Sequence, residues 1–182
     1  YNGIFNESVD IREFIFWLIW ELARNLKIRP SSIQELYQAQ KNQSESEIIV
    51  PAFTNRGLTY YAARSIIRAA LKNNVGGFIF DISKTDFNYT LQRPKEYTMN
   101  CLAAAIKEGY EGPIFIQASQ FQINKRDFEQ NRVTEVASIR ALIEEAIEAG
   151  FYNINIDTST LIDFEKNSVN EQQFLNFALC AT

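Results

Sequence analysis

Four short stretches hold the side chains of this sequence that could do chemistry. Asn55, Arg56 and Gly57 form a polar exit from an apolar run, where backbone N–H groups and Arg56 could hold an anion, or where a helix cap and a surface arginine would suffice. Asp81, Ser83, Lys84 and Asp86 offer acid–base or hydrogen-bonding groups, and a solvated loop has the same composition. Gln117, Ser119, Gln120 and Gln122 are all neutral: they can orient a hydroxylated ligand but cannot abstract a proton unaided. Asp157, Thr158, Ser159 and Thr160, with Asp163 nearby, suit hydroxyl binding or an Asx-type cap. The chain has no histidine. It therefore cannot build a Ser-His-Asp triad, a Cys-His pair, an HExxH zinc site or a histidine general base by itself. Its two cysteines, Cys101 and Cys180, make neither a disulfide framework nor a zinc site, and Cys101 reads as a small buried residue on a helix.

These four stretches need elements that bring them together. Each follows a short run rich in β-branched and aromatic residues: 48–53, 77–82, 113–117 and 152–157. The runs are nearly continuous in apolar character, as in strands covered on both faces. Helical periodicity separates them, over about 58–72, 95–108 and 133–149, and resumes from about 170. Turn signals at Asn73-Asn74, Gly109 and Gly150 close the first three helices. The alternation describes four βα units on a parallel sheet, belonging either to a doubly wound fold or to half of an eight-stranded barrel. Both architectures put the chemistry at the carboxyl ends of the strands, where the four polar stretches lie. No GxGxxG or GxxxxGK[ST] follows the first strand, which disfavours a nucleotide-binding unit.

Upstream, apolar residues from Val9 to Leu26 recur at helical spacing and predict a helix from Ser8 to Ile28. Ser32 to Glu35 reads as a capping box opening a short second helix. This pair reads as an N-terminal extension over residues 1–46, joined by a polar linker at 41–47 to a main domain over 47–182.

The chain has 182 residues, 46% of them apolar, enough for one core. A net charge of −4 offers no basic footprint for nucleic acid. The longest apolar run, Phe14 to Trp20, is far shorter than the roughly 20 residues of a membrane helix. No signal peptide stands at Tyr1, so a soluble cytoplasmic protein is expected. The 14 phenylalanines and eight tyrosines are read as core, since no basic residues interleave them. The start at Tyr1 and the stop at Thr182 inside a helical pattern lead us to expect a piece of a longer product.

Three segments carry a family resemblance: VPAFTNRG at 50–57, GPIFIQASQFQIN at 112–124 and EEAIEAGFYNINIDTSTLID at 144–163. Together they resemble the metal-dependent (class II) fructose- and tagatose-bisphosphate aldolases of carbohydrate metabolism and glycolysis. The resemblance implies a (β/α)8 barrel, of which this α/β chain holds about four units, and a divalent metal, usually zinc. It implies a lyase cleaving or forming ketose bisphosphates. In that family the third strand ends in an Asp-His pair, the catalytic acid/base and a metal ligand; here those positions read Ser119 and Gln120. Serine cannot replace a carboxylate as proton carrier near neutral pH, and an amide is a poor zinc ligand. Asn55, Ser83, Asp157 and Ser159 stand at positions that the resemblance makes substrate-binding. The expectation is an aldolase-family half barrel, inactive by itself. It could hold a sugar phosphate and be completed by the rest of a longer chain, a second subunit or another copy. The alternative is a non-catalytic sugar-phosphate-binding or scaffold subunit.

Overall fold

Hydrophobic strands alternating with amphipathic helices need a sheet in the middle, and the chain supplies one. The computed structural model describes residues 1–41, 49–162, 165, 166 and 168–181, with the side chain of residue 175 left out. In order, the elements are α1 (Asn2–Phe5), α2 (Val9–Asn25), β1 (Ile28–Ser31), α3 (Gln34–Lys41), β2 (Ala52–Thr54), α4 (Thr59–Lys72) and β3 (Ile79–Ser83). There follow α5 (Lys84–Thr90), α6 (Pro94–Glu108), β4 (Gly112–Gln122), α7 (Lys125–Gln130), α8 (Arg132–Glu148), β5 (Asn153–Asp157) and α9 (Val169–Cys180). A short 3-10 turn spans Ser159–Leu161.

Every strand pairing is parallel. β2, β3, β4 and β5 are neighbours in chain order with no reversal, while β1 shares an edge of the long central β4 with β5. β1 pairs with residues 112–115 and β5 with residues 117–122. The four sequence-predicted βα units are present. The first strand is shorter than expected, and Ile48, like the join at 46/47 and most of the 41–47 linker, lies outside the described residues.

Local chemistry sets the element boundaries. Side-chain caps open α2 (Ser8), α5 (Ser83), α7 (Asn124), α8 (Asn131) and α9 (Ser168), each accepting a backbone N–H of the first turn. After α8, Gly150 takes a positive φ of 92° beneath Trp20 and Pro30; a Cβ there would lie 2.9 Å from the indole. Only glycine fits that crossing.

The sheet buries one face against α4, α6 and α8. Phe80, Ile82, Ile114, Ile116, Ala118 and Phe121 meet Ile67, Leu102 and Ala105 in the main core. Phe87, Tyr97, Phe121 and Phe151 pack edge-on or tilted within it, so these aromatic residues are core as expected. A smaller cluster of Ile33, Ile79 and Phe115, with Leu36 and Val50 against it, occupies the opposite face, where α3 covers the amino-terminal half of the strands.

The N-terminal segment differs from its sequence reading. The predicted helix stops at Asn25, because Lys27 adopts φ 61° and Ile28–Ser31 becomes β1. Pro30, which lacks an N–H, is tolerated there because among the described residues β1 bonds to β4 alone. Ala23 and Ile28 lie in the main core. Where β1 ends and β5 begins, the Asn153 amide bridges the gap. Its Oδ1 accepts from Ile33 N (2.8 Å), and its Nδ2 donates to the carbonyls of Ser31 (3.2 Å) and Ile116 (3.1 Å). Among the described residues no helix is long and apolar enough to cross a membrane.

Candidate functional site

The carboxyl ends of the strands form a rim, and most polar residues singled out in the sequence are spent on bracing it. Arg56, after β2, pairs with Asp86, in the first turn of α5, at 2.6 Å. Asp86 also accepts from the Ser83 N–H (3.1 Å) and hydroxyl (2.8 Å), completing a capping box. Lys84 reaches Glu135 of α8 (3.1 Å) and the Gln122 carbonyl (3.0 Å). Glu135 also accepts from Asn124 N and from the Ser138 hydroxyl. Burial opposes its charge most strongly, but the Asn124 N–H, Lys84 and Ser138 together outweigh it and hold the carboxyl below its ordinary pKa. Gln122 donates to Asp157 (3.0 Å), whose other oxygen takes the Ser159 N–H (2.8 Å). Hydrogen bonds from Ser159 chiefly, with Gln122, keep the Asp157 carboxyl below its usual range. Each loop is thus tied to the next.

Asn55 is buried, donates its amide to the Thr59 carbonyl (3.1 Å), and extends the β2–β3 ladder through its N–H to Asp81 O (3.2 Å). Ser83, Asn55, Asp157 and Ser159 therefore occupy the rim as caps and struts.

Asp81 stands apart from them. The strand alternation turns it onto the face opposite α4, α6 and α8, away from its sequence neighbours Lys84 and Asp86. Its carboxylate accepts from Ser119 Oγ (2.9 Å), Gln117 Nε2 (3.1 Å) and Thr54 Oγ1 (3.3 Å). The register explains the convergence. Thr54 sits opposite Asp81, Asp81 opposite Gln117, and Gln117 opposite Asn153, so one polar row crosses four strands. From behind, buried Tyr97 donates its hydroxyl to the Asp81 carbonyl (3.2 Å) and, with Asn55 N, fixes that strand position. Burial raises the Tyr97 pKa well above normal, so it remains a donor.

Ser119 and Gln120 part company. Between Ala118 and Phe121 the β4–β5 register slips, a bulge that sets Gln120 at φ 48° and exposed, while Ser119 stays on the face with Asp81. Comparison with known protein families, curated proteins and solved structures returns no match. The aldolase resemblance therefore rests on the residues themselves. They do not fit zinc. Gln120 is an exposed amide, Ser119 a hydroxyl bonded to a carboxylate, and no group of three His, Cys, Asp or Glu among the described residues could hold a metal.

Beside the polar row, between α3 and β5, lies a cleft of about 430 Å³ lined by Gln34, Tyr37, Gln117, Ser119, Tyr152 and Asn155 among others, none of them charged. Such a surface orients hydroxyls and supplies one carboxylate acceptor at its border. Sequence reasoning groups Asp81 with its chain neighbours and passes over Tyr37, Tyr152 and Asn153 as site residues. The missing signal was period-two parity, which puts 54, 81, 117 and 153 on one face at one depth.

Proposed function

We propose that this chain is the first half of an aldolase-like (β/α)8 barrel that holds a sugar phosphate or related polyol on the Asp81 face and does not itself cleave it. The consecutive order β2-β3-β4-β5 supports the barrel reading, since a doubly wound sheet reverses its order at a switch point. Neighbouring helices α4, α6 and α8 support it too, each following its strand on the same side.

One observation carries the functional part: Ser119, at the family's acid/base position, spends its hydroxyl on Asp81. A proton carrier is replaced by a hydrogen-bond donor, and the remaining groups of the row are neutral. Asp81 is suited to accept from ligand hydroxyls, with Gln117 and Ser119 orienting them. Zinc chemistry has no place in this half as it stands.

The test is ligand-induced stabilisation. A ketose bisphosphate that binds the folded chain raises its melting temperature as RT ln(1 + [L]/Kd), and Asp81→Ala abolishes the shift. Restoring Ser119→Asp with Gln120→His would leave cleavage absent. Stoichiometric zinc binding with cleavage by the purified chain would overturn the proposal.

A further inference from the structure

Among the described residues the sheet ends on one side in β2 and on the other in β5 and β1, which share one side of β4. Among the described residues β2 pairs only with β3, and β5 uses only its β4 side. Unpaired edges leave rows of N–H and C=O groups that favour strand addition. Because all strands run parallel, the outer edge of β2 and the outer edge of β5 are the two sides that a further parallel strand would join. We propose that two copies of this chain close into one parallel barrel, the β2 edge of each pairing with the β5 edge of the other. A twofold axis along the strands makes both joints at once, with β1 lying beside β5 on the same side of β4. This rests on the half-barrel reading above and adds what completes it.

Side-chain alternation matches the two edges. In β2, Ala52 and Thr54 share the open face with Ile79 and Asp81, while Phe53 sits beside Phe80 on the helix face and remains 38% exposed. At the β5 end that helix face holds a mostly apolar cavity of about 220 Å³, lined by Ile123, Ile139, Ile143, Ile156 and Leu179 together with Arg140, large enough for one phenyl ring. Phe174 and Phe177 of α9 stand next in the chain, each about three-quarters exposed. Tyr61 of α4, on the β2 side, is similarly bare. On the open face, residues 152–155 border the neutral cleft, where small Ala52 and Thr54 side chains can enter without burying a charge. A second copy thus offers the small-in, aromatic-out strand that the β5 edge requires.

Light scattering on the purified chain from about 1 to 100 μM tests this, since a dimer's population follows protomer concentration. A particle of twice the 21.0 kDa chain mass is expected. Phe53→Asp should return it to one chain with an unchanged far-ultraviolet circular dichroism spectrum, because Phe53 is already partly exposed. Tyr89→Ser, at an exposed position of α5, should stay dimeric. A wild-type monomer throughout the range, an open-ended series of larger species, or a Phe53→Asp variant that remains dimeric would each overturn the proposal. Ligand-induced stabilisation, measured on the same samples, reports on the Asp81 site separately, so a failed dimer and a failed ligand site are told apart.

Discussion

The Ser119 hydroxyl donates to the Asp81 carboxylate across 2.9 Å, joining two adjacent parallel strands on the face away from α4, α6 and α8. Placing a carboxylate at 119 would set two like charges within hydrogen-bond reach. The pair would then titrate as a unit with one raised pKa. Stability would be fully retained below the ordinary carboxylate pKa of the unfolded chain and lost as pH rises from there towards the raised value. Ser119→Asp should therefore cost about 1–3 kcal/mol at pH 7 and far less near pH 4, read from denaturant melts at both values. An equal cost at the two pH values would contradict the contact.

Glu135 is buried and, among the described residues, is the carboxylate that pairs with Lys84. Removing one member of such a pair strands the other, and Glu135→Ala should lose about 3 kcal/mol. Urea unfolding measures it; a loss under 1 kcal/mol would show that the loop tie contributes little.

Thr98 is fully buried on α6, and its hydroxyl finds no partner among the described residues. Replacing it with the nearly isosteric valine removes an unsatisfied group without leaving a cavity. Thr98→Val should stabilise the fold by about 1 kcal/mol. A lower melting temperature would mean that the hydroxyl is bonded after all.

Glu108 accepts from both Arg68 and Arg64 of α4, and these bonds, Arg68 first, hold its pKa down to about 2. A carboxyl with a lowered folded pKa contributes stability above its unfolded pKa and loses it as pH falls towards the folded value. Glu108→Gln should therefore melt earlier than the parent at pH 7 and together with it at about pH 2. A difference independent of pH would assign the effect to packing.

Much of this fold could be read from the sequence because its signals are local. Four apolar runs ending in polar residues marked four strands, and Gly109 and Gly150 marked helix ends that the backbone confirms at positive φ. β1 escaped because Ile28 fits a helical stripe as well as a strand, and only pairing with Gly112 to Phe115 decides between them. The site was half legible. Residue types at strand ends marked the loops that form the rim, but whether Asp86 braces a loop or Asp81 lies on the other face depends on parity and on partners contributed by other strands. The bulge at Gln120 depends on a register slip between β4 and β5, which no stretch of β4 alone encodes.

The most direct test of the account is a single NMR experiment, with the purified chain, zinc and fructose 1,6-bisphosphate in one tube. Saturation transfer from protein to ligand protons, with no triose phosphate resonances appearing over hours, is the predicted result. Growing triose phosphate signals, or no transfer at all, would contradict it.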